Sequence, residues 1–162
     1  MQLQEASQNC EYDVVDKYYS MVYKLAFART QNKSDAEDIF QEVFLKYIRK
    51  HPHFESEEHE KAWFIRVTIN CCKDFWKFSN KLSHDELNEN LPDIEPNEEF
   101  LFEYINKLPE DYRVIIHLFY YEDLSTSKIS NILNKKESTV RMALTRARRM
   151  LKDFMEGENE ND

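Results

Sequence analysis

The 162-residue chain contains a single glycine, Gly157, and only four prolines. Sheet-rich folds need tight turns with positive φ, a backbone region that glycine enters without steric penalty. One glycine therefore predicts an all-α fold in which helices are joined by short polar loops. Aromatic residues make up 14% of the sequence, which is ample for a hydrophobic core.

Charge is distributed unevenly along the chain. The formal net charge is −9, yet residues 124–152 hold eight Lys or Arg against one Asp or Glu, a net of +7. Residues 83–111 hold ten acids against one Lys, a net of −9. This asymmetry predicts a basic module for a polyanion, with an acidic linker in front of it.

Neither a membrane segment nor a disulfide framework is expected. No apolar run approaches the roughly 20 residues that cross a bilayer, and the N-terminal residues do not resemble a secretory signal. There are three cysteines, of which Cys71 and Cys72 are adjacent on a predicted helix. We expect one of this pair to pack inward and the other to lie near the surface of a reduced, cytoplasmic protein.

The first predicted module comprises residues 10–82 and starts with two amphipathic helices. Apolar residues of the first recur at three- and four-residue steps: Val14, Val15, Tyr18, Tyr19, Val22, Leu25 and Ala26. We expect the second helix to open with a capping box formed by Ser34 and Glu37. It should end at His51, because Pro52 disfavours helical geometry in the residue before it.

Composition then divides the chain. A polar loop at 54–60 precedes a third, aromatic helix at about 61–78. An acidic, Asn- and Pro-containing linker is predicted at 83–99, followed by a second helical module at 100–155. The acidic tail, 156–162, is expected to be disordered.

The second module has the pattern of a helix-turn-helix. Pro109 ends one short helix and can start the next, at 110–121. Ser125 is positioned to cap another short helix, and Asn134 tolerates the left-handed conformation of the turn before the basic stretch 138–152. In this motif the second helix enters the major groove of DNA.

Apolar and small side chains share one arc of the basic helix: Val140, Ala143, Leu144, Ala147 and Leu151. The remaining arc is mostly cationic. Arginine bonds bidentately to guanine, and neighbouring cations neutralise phosphates. A basic arc can also be a merely solvated face, but the cap, the turn and the apolar arc together favour DNA binding.

Three stretches carry a family resemblance. LPEDYRVIIHLFYYEDLSTSKISNILNKKESTVRMALTRARRML (108–151) resembles region 4 of the extracytoplasmic-function sigma factors, the small members of the sigma-70 family. DAEDIFQEVFLKYIRK (35–50) resembles their regions 2.1–2.2, and KAWFIRVTINCCKDFWK (61–77) resembles regions 2.3–2.4. The resemblance implies two small helical domains in a dissociable subunit that binds core RNA polymerase, recognises promoters and helps to open DNA.

The resemblance also implies roles for residues of the basic helix. Those that would face the bases of the −35 element are Arg141, Met142, Thr145 and Arg146. Those that would lie nearer the DNA backbone are Thr139, Arg148 and Arg149.

In the first module the resemblance implies two further surfaces. The β′ clamp helices of core polymerase would bind a face of the second helix that comprises Asp35, Asp38, Gln41, Glu42, Phe44 and Leu45. The β flap of the polymerase is a further expected contact. An extruded base of the −10 element would enter a pocket between Phe54 and Asn70, with cations holding the strand at Arg66, Lys73 and Lys77. Trp63 matches a packing position. An anti-sigma factor that masks these surfaces is the expected regulatory partner.

Three departures from the family pattern concern the proposed contacts. Met142 and Thr145 offer little base-specific bonding, so sequence preference is expected to rest on Arg141, Arg146 and DNA shape. The turn carries Asn134, Lys135 and Lys136 where the family has Gly, an apolar residue and a cap. Loss of the cap is expected to destabilise the helix by about 1 kcal/mol, although the lysine stem can cover apolar surface. The loop 54–60 carries four glutamates that would repel phosphate unless they face away.

We expect no catalytic site, cofactor or metal. His51, His53, His59 and the adjacent cysteines lack the paired spacing of a zinc site. No nucleophile–base grouping or phosphate-binding loop is apparent. The alternatives to a sigma factor are a free-standing helix-turn-helix regulator that acts without polymerase and, more weakly, an adaptor whose basic helix binds an acidic protein.

Overall fold

A computed structural model describes the backbone of residues 2–79 and 103–159, and the side chains of 13–75 and 103–157. The chain divides into two compact units, residues 1–87 and 88–162, so that the boundary falls within the predicted linker. Every regular element in the described ranges is helical, as the single glycine predicts. The linker at 83–99 lies outside the described residues.

The first unit consists of three mutually packed helices, α1 (Gln2–Thr30), α2 (Lys33–Lys50) and α3 (Glu57–Ser79). The apolar stripe of α1 faces the core, although Tyr19 is 53% exposed. Phe64 of α3 is fully buried at the centre of this unit. Its ring centroid lies 4.5 Å from that of Tyr18, 5.4 Å from that of Tyr47 and 5.5 Å from that of Phe44. Aromatic packing therefore joins all three helices.

The start of α2 differs from the prediction, whereas its end agrees. Asn32, not Ser34, is the N-cap, and its Oδ1 accepts a hydrogen bond of 3.0 Å from the amide of Asp35. The preceding residue, Gln31, turns the chain with φ of 53°, which directs Asn32 into the extended conformation that a cap needs. At the other end, His51 caps the helix at φ 43°, in front of Pro52.

The loop predicted at 54–60 is shorter than expected, because α3 begins at Glu57. Ser56 Oγ accepts a hydrogen bond of 3.1 Å from the amide of His59, which is the geometry of an N-cap. The acids that follow lie in the first helical turn, where the helix dipole favours negative charge. Lys17 of α1 is 3.2 Å from Glu57 and 3.3 Å from Glu60, so its single positive charge is shared between two of these carboxylates.

The second unit begins, within the described residues, with the helical segment α4 at 103–106. It continues with α5 (Glu110–Ile116), a π-helical turn (His117–Tyr121), α6 (Thr126–Leu133) and α7 (Glu137–Asn159). Side chains from all of these elements form its buried core: Tyr104, Ile105, Val114, Ile115, Ile116, Leu118, Ile129, Val140, Leu144 and Ala147. Arg113 Nη1 donates 2.6 Å to the carbonyl of Leu108, which fixes the entry into α5.

The helix predicted at 110–121 is α-helical only as far as Ile116. In the following π-helical turn the amide of Glu122 bonds to the carbonyl of His117, and that of Leu124 bonds to the carbonyl of Leu118 at 3.1 Å. A π turn holds one more residue than an α turn, so it shifts the side chains that follow it around the helix axis. Phe119 and Tyr120 lie within this turn, and their rings contact Arg148 of α7.

The basic helix extends beyond its predicted limit. It continues through 156–159, which the sequence assigned to a disordered tail, and residues 160–162 lie outside the described residues. Glycine does not interrupt it at Gly157, because one glycine lowers helix stability by only about 1 kcal/mol relative to alanine.

Candidate functional site

The turn between α6 and α7 has the geometry of a helix-turn-helix. Ser125 caps α6, since its Oγ accepts a hydrogen bond of 3.2 Å from the amide of Lys128. Asn134 ends α6 in the left-handed conformation, with φ of 54° and ψ of 46°. Both sequence predictions are confirmed, and they explain how the turn is made without glycine.

The unusual lysines of this turn are accommodated locally. Lys135 is partly exposed, and its Nζ lies 3.9 Å from Asp111 of α5. The carbonyl of Lys136 accepts from the amides of Thr139 and Val140, which starts α7. These contacts connect the turn to α5 and to the first residues of α7.

The helical wheel of α7 is confirmed by burial. Val140 and Ala147 are fully buried, Leu144 and Ala143 are nearly so, and Leu151 is half-buried. Every residue expected to meet the −35 element is exposed: Thr139, Arg141, Met142, Thr145, Arg146, Arg148 and Arg149. One continuous arc of α7 therefore presents four guanidinium groups to solvent.

The arginines on this arc differ in their contacts. Arg141 Nη2 donates 2.7 Å to Glu137 Oε1. Arg148 Nε donates 2.6 Å to Tyr120 Oη, and its guanidinium lies over the rings of Phe119 and Tyr120. Two of the predicted DNA contacts are therefore held by the protein itself. Sequence spacing alone could have suggested the Glu137 pair, since it is four residues before Arg141.

The predicted polymerase-docking face of α2 is exposed at Asp38, Gln41, Glu42 and Leu45, the last of which is 43% exposed. These positions follow helical spacing and share one face. Asp35 is half-buried, and burial followed by the charge of Asp38 raises the pKa of its carboxyl.

Phe44 departs from the expected docking face, because it is only 6% exposed. Its ring packs 4.7 Å from that of Phe40 and 5.5 Å from that of Phe64, measured between centroids. It is therefore a core residue that supports the face from beneath. Sequence reasoning missed Ile48, which is 43% exposed one turn after Leu45 and extends the apolar part of the surface.

The predicted −10 surface combines a loop residue with α3. Phe54 is half-buried, and its ring meets the edge of His59 at 5.5 Å and of Trp63 at 5.8 Å between centroids. Trp63 is half-buried and packs edge-on against Phe64 at 5.0 Å, in keeping with the expected packing role.

Three predicted contacts lie on α3 itself. Arg66, Asn70 and Lys73 are exposed at a spacing of four and three residues, which places them on one face of the helix. The side chain of Lys77 lies outside the described residues.

The cysteines on α3 correct the expectation of one inward and one surface thiol. Cys71 is 4% exposed and Cys72 is fully buried, and neither forms a disulfide. Burial is the main reason why the pKa of the Cys71 thiol is raised. In the described part of the chain no group of three or more His, Cys, Asp or Glu side chains could hold a metal ion. Nor does any described helix have the length and apolar character needed to cross a membrane.

Comparisons with known proteins agree with this architecture. Residues 14–81 match the family model of Sigma-70 region 2, and residues 101–151 match that of Sigma-70 region 4. Two solved structures have the same fold at a TM-score of 0.67. One is the sigma factor RpoE with the anti-sigma factor NepR from Bartonella quintana (18% identity, 88% of this chain and 94% of that one). The other is CnrH with the cytosolic domain of CnrY (19% identity, 96% and 94%).

Several curated relatives are similar over most of the sequence. The chain is 28% identical to the sigma factor SigE of Mycolicibacterium smegmatis over 88% of its own length, but it spans only 60% of that relative. It is 30% identical to SigV of Bacillus subtilis, over 80% of this chain and 81% of the relative. It is also 30% identical to the extracytoplasmic-function sigma factor SigM of the same organism, over 86% of this chain and 91% of the relative. The chain belongs to the extracytoplasmic-function sigma factors of the sigma-70 family.

Proposed function

We propose that this protein is a sigma factor that directs core RNA polymerase to specific promoters and assists DNA melting at the start of transcription. The observation that carries the proposal is the order of its two matched modules, region 2 at 14–81 and region 4 at 101–151. A free-standing regulator would need only the second module. The match of the first module therefore does not favour that alternative.

We propose that α7 enters the major groove of the −35 element. Its exposed arc lies opposite a largely buried arc, and the N-terminal end of a recognition helix is the part that reaches base edges. Arg141, Met142, Thr145 and Arg146 would face bases. Thr139, Arg148 and Arg149 would lie along the phosphates, where each neutralised phosphate makes binding more salt-dependent.

We propose that α2 docks on the β′ clamp helices of core polymerase, with the β flap as a further contact. The proposed face comprises Asp35, Asp38, Gln41, Glu42 and Leu45, with Phe44 packed beneath it. DNA phosphates would repel its acidic groups and would not attract its uncharged amide. With an exposed leucine among them, these groups suit a protein surface better.

We propose that Phe54 and Asn70 receive an extruded base of the −10 element. A flipped base needs a flat apolar wall and a hydrogen-bonding edge partner, which a phenyl ring and an amide supply. Arg66 and Lys73 are exposed and cationic, and with Lys77 they would hold the strand. Lys17 pairs with Glu57 and Glu60 and so offsets one of the four negative charges beside the loop.

An anti-sigma factor is the proposed regulatory partner. Both solved structures contain a partner protein. RpoE is bound to the anti-sigma factor NepR, and CnrH is bound to the cytosolic domain of CnrY. A partner that covered the α2 face would compete with polymerase, so its binding and that of core enzyme should be mutually exclusive.

The test is transcription with purified bacterial core polymerase. Core enzyme reconstituted with the full-length protein should select a set of genomic promoters that share −35 and −10 sequences, whereas the protein alone should bind the same duplexes weakly. Tight sequence-specific binding without polymerase, together with no initiation in its presence, would support the free-standing regulator instead.

A further inference from the structure

The carboxylate of Glu137 connects the two helices of the helix-turn-helix, and it also binds Arg141, the first arginine predicted to read a base. Glu137 Oε1 accepts a hydrogen bond of 2.9 Å from Thr126 Oγ1 and another of 2.7 Å from Arg141 Nη2. Thr126 is the first residue of α6, and Glu137 is the first residue of α7. The guanidinium of Arg141 is thus tied to both helices through one oxygen atom.

The position of this carboxylate is fixed from several directions. Glu137 lies at the N-terminus of α7, where the helix dipole favours a negative charge. Thr126 follows the cap residue Ser125, so the donor hydroxyl is itself held at a defined helix end. The Glu137 side chain is 38% exposed and that of Arg141 is 66% exposed, so Arg141 leaves the anchor toward solvent.

We infer that Glu137 is a positioning residue that sets the base preference of Arg141, an inference that rests on the proposed binding of α7 to the −35 element. A guanidinium has five N–H donors. One of them serves Glu137 and the others remain for a base edge. Bidentate bonding to guanine requires the planar fork in one orientation, and an arginine anchored beforehand loses less conformational freedom on binding.

The Glu137 carboxylate is also expected to weaken non-specific binding to DNA. It is the one acid among the basic residues 124–152, and at the DNA-facing end of α7 its charge repels phosphates. Glu137 would therefore strengthen the specific contact and weaken the non-specific one. Both effects raise the ratio of specific to non-specific binding.

A purely structural role would be small. An exposed ion pair at four-residue spacing contributes little to stability, because solvent screens the charges and two side chains are immobilised. The chain offers a matched control at the other end of the same helix, where Lys152 Nζ lies 3.7 Å from Glu156 Oε1 at the same spacing. That pair is exposed and far along α7 from the turn.

The experiment selects promoters from a library randomised across the −35 element, using core polymerase with the full-length protein or its variants. Arg141→Ala identifies the base position that Arg141 reads. Glu137→Ala should reduce the base preference at that position about three- to tenfold. It should also raise about twofold the amount of unselected DNA that the polymerase complex retains. In the Arg141→Ala background, Glu137→Ala should leave the base preference unchanged, and Glu156→Ala should have no effect in either background.

Two conservative variants separate the contributions of charge and hydrogen bonding. Glu137→Gln keeps an acceptor oxygen without the charge, so it should retain more of the base preference than Glu137→Ala while still raising non-specific retention. Thr126→Val preserves side-chain shape but removes the donor, and should weaken the preference at the same position by a smaller factor. Circular dichroism at the assay temperature checks that each variant is folded.

The outcomes distinguish this inference from the proposed function. If the wild-type protein with core polymerase enriches no sequence, the proposed function fails. If a preferred sequence emerges and Glu137→Ala leaves it unchanged or sharpens it, only the inference about Glu137 is overturned. It is overturned as well if Arg141→Ala alters no base position.

Discussion

Arg148 Nε donates a hydrogen bond of 2.6 Å to Tyr120 Oη, joining the middle of α7 to the π-helical turn. The guanidinium carbon also lies 5.4 Å from the ring centroid of Phe119 and 5.5 Å from that of Tyr120. Both rings lie within the π-helical turn, so this turn supplies the contacts with Arg148.

Removal of the Tyr120 hydroxyl should separate stability from DNA binding. We expect Tyr120→Phe to lower the free energy of unfolding by up to about 1 kcal/mol, since it removes a charge-assisted hydrogen bond in an exposed site. It leaves the charge of Arg148 in place, so the salt dependence of promoter binding should not change. Urea unfolding and binding measured across salt concentrations test the two expectations.

Arg149→Ala is the matched variant with the opposite pattern. Arg149 is exposed on α7, so its loss should alter stability by less than about 0.5 kcal/mol and reduce the salt slope of promoter binding by about 0.9. If Tyr120→Phe instead flattened the salt slope without loss of stability, Tyr120 would be a DNA contact and not a support for Arg148.

Truncation of Arg146 should impair promoter recognition without affecting polymerase binding. A bidentate arginine–guanine pair discriminates by about 1–3 kcal/mol, so Arg146→Ala should lower promoter use at least about fivefold. Lys152→Ala removes a cation near the far end of the same helix and should have a much smaller effect. Transcription from a selected promoter measures promoter use, and fluorescence anisotropy measures the affinity for core polymerase. Equal loss of both activities with Arg146→Ala would contradict separate modules.

Charge reversal on α2 should have the complementary effect. Asp38 and Glu42 are exposed one helical turn apart, so Asp38→Lys with Glu42→Lys should weaken core polymerase binding by at least about tenfold through like-charge repulsion. Selection of the −35 sequence, measured at saturating protein, should be preserved. As a control, the same reversal at Asp13 and Asp16, which are exposed on α1, should leave core affinity near the wild-type value. Unchanged affinity for the Asp38 and Glu42 variant would mean that the docking face lies elsewhere.

The sequence was sufficient to predict features that depend on helical period. Burial of Val140, Leu144 and Ala147 follows from a spacing of three and four residues, and the left-handed turn at Asn134 follows from the tolerance of asparagine for that conformation. Helix starts were less predictable. Asn32 and Ser34 are both good caps, and only the backbone at Gln31 decides between them.

Contacts between distant residues were beyond prediction from one sequence. Phe44 lies at the edge of the apolar arc of α2, and the rings of Phe40 and Phe64 determine that it is buried. Arg148 bonds to Tyr120, which is 28 residues away and lies in a π-helical turn that no local sequence pattern predicts. Residue roles at the proposed polymerase and DNA surfaces remain predictions, since they depend on partners.

The buried thiol of Cys71 predicts a pH dependence of stability. Burial raises the pKa of the Cys71 thiol, so the folded chain holds this proton more tightly than the unfolded chain does. The resulting stabilisation is present below the ordinary thiol pKa and is lost as pH rises toward the folded value. In a Cys10→Ser background, the free energy of unfolding should therefore decline more steeply between about pH 8 and pH 10 than it does when Cys71→Ala is added.

Thiol reactivity gives an independent measurement on the same protein. Because Cys71 and Cys72 are both buried, we expect an aromatic disulfide reagent to modify them only as fast as the first unit opens, and immediately in denaturant. Rapid modification of either thiol in the native protein, with its helical content unchanged, would contradict a closed core around α3. It would also restore the expectation of one surface thiol.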